Sequence, residues 1–356
     1  MKILIDCHVF DGKFQGTRTY IEGLYSCLVK HEDIDFYFAA SDMEGMKRVF
    51  GEAGNIHYIQ LKSKSKFKRL ALEIPQIIKK YGIDYAHFQY ISPLVKRCKE
   101  IVTIHDLLFL DYPQYFPLSY RIKNKYLFKR SAKRADVLLT VSEYSRNEIV
   151  RHFNIDNKKI AVTPNAVLSI PSDLKMEDVK KKWKLDKYIL TVGRIEPRKN
   201  FLILLQAFVE LKLHEKGYKL MIIGAPDLAY YEFYNYYASL PEDIKNAVAI
   251  DKASFTELVS LYKNASLFVF PSLAEGFGIP PLEAIEYGCP LLCSNVTAMA
   301  EFDLPKEVMF NPTDMEELKR KISITLENNS IHIDKATIYE KFNWKNSADM
   351  LYNSIL

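Results

Sequence analysis

Short apolar runs alternate with amphipathic stretches along the first half of the chain. Strand-length runs stand at Lys2–Ile5, Phe36–Ala40, Ile56–Leu61, Tyr85–Phe88, Ile101–Ile104, Val137–Val141 and Ile160–Thr163. Helical spacing predicts helices between them, among others at Thr19–Lys30, Leu70–Tyr81, Leu118–Ala135 and Glu143–Phe153. The rhythm breaks at Pro164–Pro171, and a linker is expected from there to about Leu185. It restarts at Tyr188–Val192 and continues through a helix Phe201–Lys212, a strand Lys219–Ile223, a helix Phe255–Asn264 and a strand Leu267–Phe270. A helix from Pro280, a strand Leu291–Ser294 and a helix Met315–Asn328 follow, and Ile338–Leu356 reads as one terminal helix. Such alternation predicts an α/β chain of two doubly wound, Rossmann-like domains with parallel sheets. Placed face to face, two such domains leave a cleft between the carboxyl ends of their strands, the edge where open α/β sheets bind ligands.

Four chemically loaded segments fall at such strand ends. Pro271-Ser272-Leu273-Ala274-Glu275-Gly276-Phe277-Gly278-Ile279-Pro280-Pro281-Leu282-Glu283 follows the Leu267–Phe270 run. Its glycines let backbone N–H groups approach a ligand, and the helix start beside them suits phosphate. Two acids at an anion site make sense if they bind hydroxyls, so the ligand is expected to be part sugar and part phosphate. Glu283 is expected in the first turn of the helix. Gly193-Arg194-Ile195-Glu196-Pro197-Arg198-Lys199-Asn200 follows Val192. Arg194 offers a planar fork and Lys199 a point charge to phosphate oxygens. Arg198 is expected to pair with Glu196, and Asn200 to cap the next helix. His105 follows Ile104, and Gly16-Thr17 opens a helix after the first strand.

Glu275-x7-Glu283 inside Glu-Gly-Phe-Gly-Ile-Pro resembles the signature of the retaining, nucleotide-sugar-dependent glycosyltransferases of family 4, which have the two-domain GT-B fold. The resemblance implies that Arg194 and Lys199 bind the donor diphosphate and that Glu283 binds ribose hydroxyls. It implies that Glu275 holds the donor sugar and that Gly193, Gly276, Phe277, Gly278 and Ile279 line the donor pocket. Gly16 and Thr17 match the family's glycine-rich loop, here with a single glycine, and His105 matches its loop histidine near the donor sugar. Phe342-Asn343-Trp344 is similar to the family's closing segment. The implied organisation is an acceptor-binding domain over 1–170, a donor-binding domain over 171–340 and a terminal helix over 341–356 that packs back on the first domain. The implied reaction moves a hexose from a nucleotide diphosphate donor to a hydroxyl of a glycan or lipid-linked sugar. The His-Asp-Leu context favours GDP-mannose, with UDP-sugars the alternative. Two fixed cations can replace a divalent metal at the leaving diphosphate, and no Asp-x-Asp triplet stands in a loop position, so neither a metal nor another cofactor is expected. A sugar-nucleotide epimerase of the same fold and a non-catalytic nucleotide-sugar-binding subunit are the rival readings. No Gly-x-Gly-x-x-Gly follows the first strand, which disfavours a dehydrogenase.

The chain has 356 residues, 48% of them hydrophobic, enough for two cores. No apolar run approaches the roughly 18 residues of a membrane span, and Asp6 interrupts the first run where a signal peptide would stay apolar. Five cysteines without Cys-x2-Cys spacing suggest buried thiols in a reduced, cytoplasmic setting. A formal net charge of +5 is unevenly spread. Lys62, Lys64, Lys66, Lys68 and Arg69 form one basic cluster, and Arg121, Lys123, Lys125, Lys129, Arg130, Lys133 and Arg134 another, interleaved with Ile122, Tyr126, Leu127 and Phe128. Two readings stand: a solvated helix face over a core stripe, or attraction to anionic lipid at the inner face of a membrane. No recognition motif points to nucleic acid. The run Tyr230–Tyr237 reads as a helix with aromatic packing and one wet face.

Overall fold

Every strand pairs in parallel with its neighbours, as the unbroken apolar runs require. A computed structural model describes residues 1–12, 16–63, 65–169, 177–227, 230–328 and 333–356. Gln15, Lys64 and positions 170–176 of the expected linker lie outside the described residues. The first seven strands are β1 (Lys2–Asp6), β2 (Asp35–Ala40), β3 (Ile56–Gln60), β4 (Tyr85–Gln89), β5 (Lys99–Thr103), β6 (Val137–Thr140) and β7 (Ile160–Val162). The next six are β8 (Lys187–Val192), β9 (Tyr218–Ile223), β10 (Val248–Asp251), β11 (Leu267–Phe270), β12 (Leu291–Ser294) and β13 (Met309–Phe310). Among the described residues they form two sheets, ordered β3-β2-β1-β4-β5-β6-β7 and β10-β9-β8-β11-β12-β13.

The chain divides into two units. Met1–Leu168 with Lys341–Leu356 makes one, and Ser169–Glu340 the other. Leu4, Phe88 and Val102 of the first sheet share a core with Ile74, Ile78, Ile149 and Phe153. In the second unit Ile189, Leu220, Ile222 and Val269 pack with Phe201, Leu204, Phe208 and Phe233. All five cysteines are free, three of them buried. Among the described residues no helix is long and apolar enough to cross a membrane. The Tyr230–Tyr237 run does form a helix, Tyr231–Ser239, with Phe233 buried and Tyr231 in solvent.

Three expectations need correction. β10 and β13 do not stand out in the sequence, because one is a half-exposed edge strand and the other only two residues long. The terminal helix is two helices, Lys335–Lys341 and Trp344–Ile355. Asn343 splits them, because its side chain accepts the Asn346 N–H at 2.8 Å and starts a new helix. Only the second of these helices joins the first unit. There Trp344 packs flat on Gly23, where an added Cβ would lie 2.0 Å from its ring, and Ser347 Oγ donates to Pro164 O at 2.7 Å. Finally, Ile122 and Tyr126 do not belong to a core stripe: Asn124, Phe128, Ser131 and Ala132 turn inward from the Leu118–Arg134 helix, and those two side chains are exposed.

Candidate active site

From β8 the chain builds outward to β9 and β10, then returns to the other side of β8 as β11. The strand order therefore reverses between β8 and β11, and doubly wound sheets bind ligands at the carboxyl ends flanking such a reversal. The Gly193–Asn200 segment leaves β8 there, and the Glu275 turn leaves β11 beside it. The two sequence elements thus meet within one unit.

Glycines shape the first element. Gly193 has φ of 150°. Gly224, just past β9, sits so close that an added Cβ would lie 1.7 Å from Gly193 O, an approach only glycine permits. Backbone bonds from Gly193 N–H to Ile223 O and from Ile195 N–H to Ala225 O, both 2.9 Å, pin the loop to the neighbouring strand end. Arg194 projects from it with 61% of its side chain exposed and donates to Asp227 Oδ2 at 3.1 Å. The turn Pro197–Lys199 then directs two more cations inward. Lys199 Nζ lies 2.5 Å from Glu275 Oε1 and 5.4 Å from the Phe270 ring centroid. Arg198 donates to Glu275 Oε2 at 2.8 Å, to Glu196 Oε1 at 2.6 Å and to Ala274 O at 2.5 Å. Asn200 occupies the N-cap position but, at φ of 57°, its side chain donates to Pro312 O instead of capping.

Glu275 is buried, and its N–H donates to Thr297 Oγ1 at 3.0 Å. Burial works to raise its carboxyl, but the charges of Arg198 and Lys199 overcome this and hold it at about 2. Lys199 shifts down, because burial outweighs the pull of Glu275. Burial works against the charge of both groups, and the contact between them opposes it. Glu283 falls in the second turn of the helix Ile279–Glu286 rather than the first, because that helix starts at Ile279 behind the N-cap Gly278, φ 102°. Burial raises its carboxyl to about 6, although Tyr262 OH donates to it at 2.9 Å. Pro280 and Pro281 carry no N–H, so the open donors of this helix start come down to Gly278 and Ile279. Phe277 packs its ring edge-on against Phe302 at 5.6 Å.

Sequence reasoning put Arg194, Lys199, Glu275 and the surrounding turn residues at one edge, and the structure brings them together. It missed Arg198 as a member of the cluster and missed Thr297 and Asp227. The signal for Arg198 was its place beside Lys199 in a tight turn, but its partner lies 77 residues further on.

The first unit carries a separate polar group at its own carboxyl edge. Gly16 is exposed and Thr17 half-buried at the start of the helix Gly16–Leu28. His105 is buried, packs edge-on against Tyr20 at 5.0 Å, and its Nε2 lies 2.6 Å from Gln89 Oε1. Gln89 Nε2 in turn reaches His87, which meets Tyr25 OH and Thr103 Oγ1 at 2.7 Å each. Burial holds both histidines at about 3, so they are neutral at physiological pH. With Nε2–H given to Gln89, His105 keeps Nδ1 as an acceptor, suited to a hydroxyl donor. Asp111, Glu148 and His152 also lie within reach of one another, but the Arg151 guanidinium already occupies that cluster, which opposes a metal cation there.

Residues 14–167 match the family model described as Glycosyltransferase Family 4, and residues 175–342 the model described as Glycosyl transferases group 1. The chain is 31% identical over 300 residues to O-antigen chain mannosyltransferase B of Escherichia coli, covering 76% of this chain and 74% of that one. It is 32% identical over 232 residues to O-antigen chain mannosyltransferase RfbU of Salmonella typhimurium, covering 62% and 59%. It is also 28% identical over 277 residues to the serotype-specific mannosyltransferase WbdA of Escherichia coli, of which it spans 32%. Among solved structures, sucrose-phosphate synthase from Thermosynechococcus elongatus superposes with a TM-score of 0.71 over 99% of this chain and 98% of that chain at 17% identity. Anabaena HepE in complex with UDP and glucose does so with 0.71 over 100% and 99% at 14% identity, a likeness of fold. Two parallel sheets, a last helix returned to the first unit and matches spanning both halves place this chain in glycosyltransferase family 4, with the GT-B fold.

Proposed function

We propose that this glycosyltransferase moves mannose, with retention of configuration, from GDP-mannose to a hydroxyl of a growing glycan or lipid-linked sugar. The observation that carries the reading is the Arg194–Arg198–Lys199–Glu275 cluster at the strand-order reversal of the second unit. Three cations there face three carboxylates, Glu196, Asp227 and Glu275. An incoming diphosphate takes over Arg194 and Lys199, and Arg198 still balances the charge of Glu275. The second unit then binds the donor and the first the acceptor. Mannose as the sugar follows the mannosyltransferase relatives.

In the reaction the bond from the anomeric carbon to the diphosphate oxygen breaks, and Arg194 and Lys199 meet the charge growing on that oxygen. The acceptor oxygen bonds to the anomeric carbon on the same face, and its proton passes to the departing phosphate. Glu275 and the N–H groups of Gly278 and Ile279 hold the sugar and phosphate, and Glu283 holds ribose hydroxyls. Two fixed cations do the work of a metal ion.

A thermal-shift panel of GDP, UDP and ADP tests the donor. A selective rise with GDP is expected. A selective rise with UDP would reassign the base, and no rise with any of them would remove the reading. Mannose transfer is expected to survive excess chelator, and full loss rescued by a divalent ion would contradict the two-cation mechanism.

Glu283 makes a pH-dependent contribution. Its carboxyl, raised to about 6, is ionised above that pH and neutral below it. Charged acceptors bind hydroxyls about twice as strongly as neutral ones. Affinity for GDP-mannose, whose pyrophosphate does not titrate in this range, is expected to fall roughly three- to tenfold as pH drops from 7.5 to 5. Glu283→Gln should bind weakly and flatten that dependence. A variant that keeps the same pH step would remove Glu283 from the donor site.

A further inference from the structure

We propose that His8 holds a hydroxyl of the acceptor sugar through its Nε2, at the strand-order reversal of the first sheet. The inference rests on the transferase reading above and adds to it a binding residue in the first unit.

The first sheet has a reversal of its own. From β1 the chain builds outward to β2 and β3, then returns to the other side of β1 as β4. The carboxyl ends of β1 and β4 therefore flank the place where a doubly wound sheet takes a ligand. β1 ends in Asp6, and His8 stands two residues beyond it.

A carboxylate at the end of a buried strand needs a reason. Asp6 is 2% exposed and follows the buried Leu4 and Ile5. Arg69 Nε lies 3.3 Å from its Oδ2, and His8 Nδ1 lies 3.2 Å from its Oδ1. Burial works to raise the carboxyl, but His8 and Arg69 overcome this and hold it below its usual value. Arg69 suffices to balance the charge. The contact with His8 sets a tautomer as well: an ionised carboxylate beside Nδ1 keeps the proton there, and Nε2 is left as an acceptor.

The ring is also held in place. His8 opens the short turn His8–Phe10, whose other two residues are buried. Phe10 packs on Phe50 with ring centroids 5.8 Å apart, and its N–H donates to Cys7 O at 2.9 Å. His8 is the member of the turn left toward solvent, with 29% of its side chain exposed. Among the described residues Nε2 takes no partner. A fixed acceptor with no partner suits a ligand that brings an O–H. A sugar brings several, whereas an ionised diphosphate brings none and would leave Nε2 unmatched. The chemistry is the reverse of the Arg194 and Lys199 side chains, which offer only donors.

The test follows GDP release from GDP-mannose, with octyl glycosides of mannose, N-acetylglucosamine, galactose and rhamnose as acceptors. His8→Ala is expected to raise the acceptor KM roughly three- to tenfold, the loss of one hydrogen bond, with donor KM unchanged. Folding should survive, because Arg69 still pairs with Asp6. Two amides then separate holding a sugar from merely holding Asp6. His8→Asn puts its amide where Nδ1 stood and can still donate to Asp6, but it has nothing at the Nε2 position. His8→Gln reaches the Nε2 position. Gln should recover more of the acceptor KM than Asn, and Asn should stay with Ala. Recovery by Asn, an unchanged acceptor KM in His8→Ala, or an equal rise in donor KM would each overturn the inference and leave transfer standing. A wild type that transfers to none of the glycosides would overturn it together with the transfer reading.

Discussion

Lys199→Ala is expected to lower turnover by more than about a hundredfold, at least ~2.7 kcal/mol of transition-state stabilisation. Lys199 is well placed for such an effect. Its side chain is only 13% exposed and its ammonium lies against Phe270 and Glu275, where charge is poorly screened and a fixed cation acts strongly on charge that develops nearby. The loop that carries it is held by the close approach of Gly193 and Gly224, so the cation is positioned before the reaction begins. The loss should fall mainly on kcat measured at saturating donor, because the leaving diphosphate gains charge only as the bond breaks. Folding should survive, since Arg198 still pairs with Glu275 once the lysine is gone. Arg194→Ala should act in the same direction. Its exposed pair with Asp227 contributes little to stability, so its thermal midpoint should match the wild type. Unchanged kcat in both variants would remove the phosphate clamp.

Much of this site was legible because its parts are local. Two acids eight positions apart around a two-glycine turn, and a Gly-Arg followed by Lys five residues on, each fit within one strand-to-helix connection. Parallel strands then deliver them to the same edge. What the sequence hid depends on distance along the chain. Arg198 has an adequate local partner in Glu196, and nothing local says that it also reaches Glu275. Gly224 looks like any residue leaving a strand until Gly193 is laid against it. The Tyr25–His87–Gln89–His105 chain joins residues from a helix, a strand and a loop, each unremarkable alone. Ile122 and Tyr126 were misplaced because helical spacing shows that apolar residues share a face but not which face is covered. The fold was clear where runs were long and buried, and dim at β10 and β13, which have too few buried positions to show a period.

Glu275→Ala is expected to destabilise the protein by about 3 kcal/mol at neutral pH, near the lower end of what breaking a buried pair costs. Removing this carboxylate leaves Lys199 buried beside Arg198 with no charge opposite it. Arg198 retains Glu196 and the Ala274 carbonyl, which limits the loss. The pH dependence follows from the same pairing. Glu275 titrates at about 2 in the fold, against about 4.3 in an unfolded chain. A carboxyl whose folded value is depressed stabilises the fold above its unfolded value, and that contribution disappears as pH falls toward the folded value. The difference in unfolding free energy between wild type and Glu275→Ala should therefore be steady above about pH 5 and shrink between about pH 4 and pH 2. Subtracting the two curves cancels the other carboxylates, which titrate in both proteins. Glu275→Gln keeps the shape and one acceptor for Lys199 but loses the charge, so it should fall between the two. Denaturant unfolding across this range checks the expectation. A variant within about 0.5 kcal/mol of wild type at pH 7 would mean that Lys199 and Arg198 find other anions, and that Glu275 is not what holds the two cations in place.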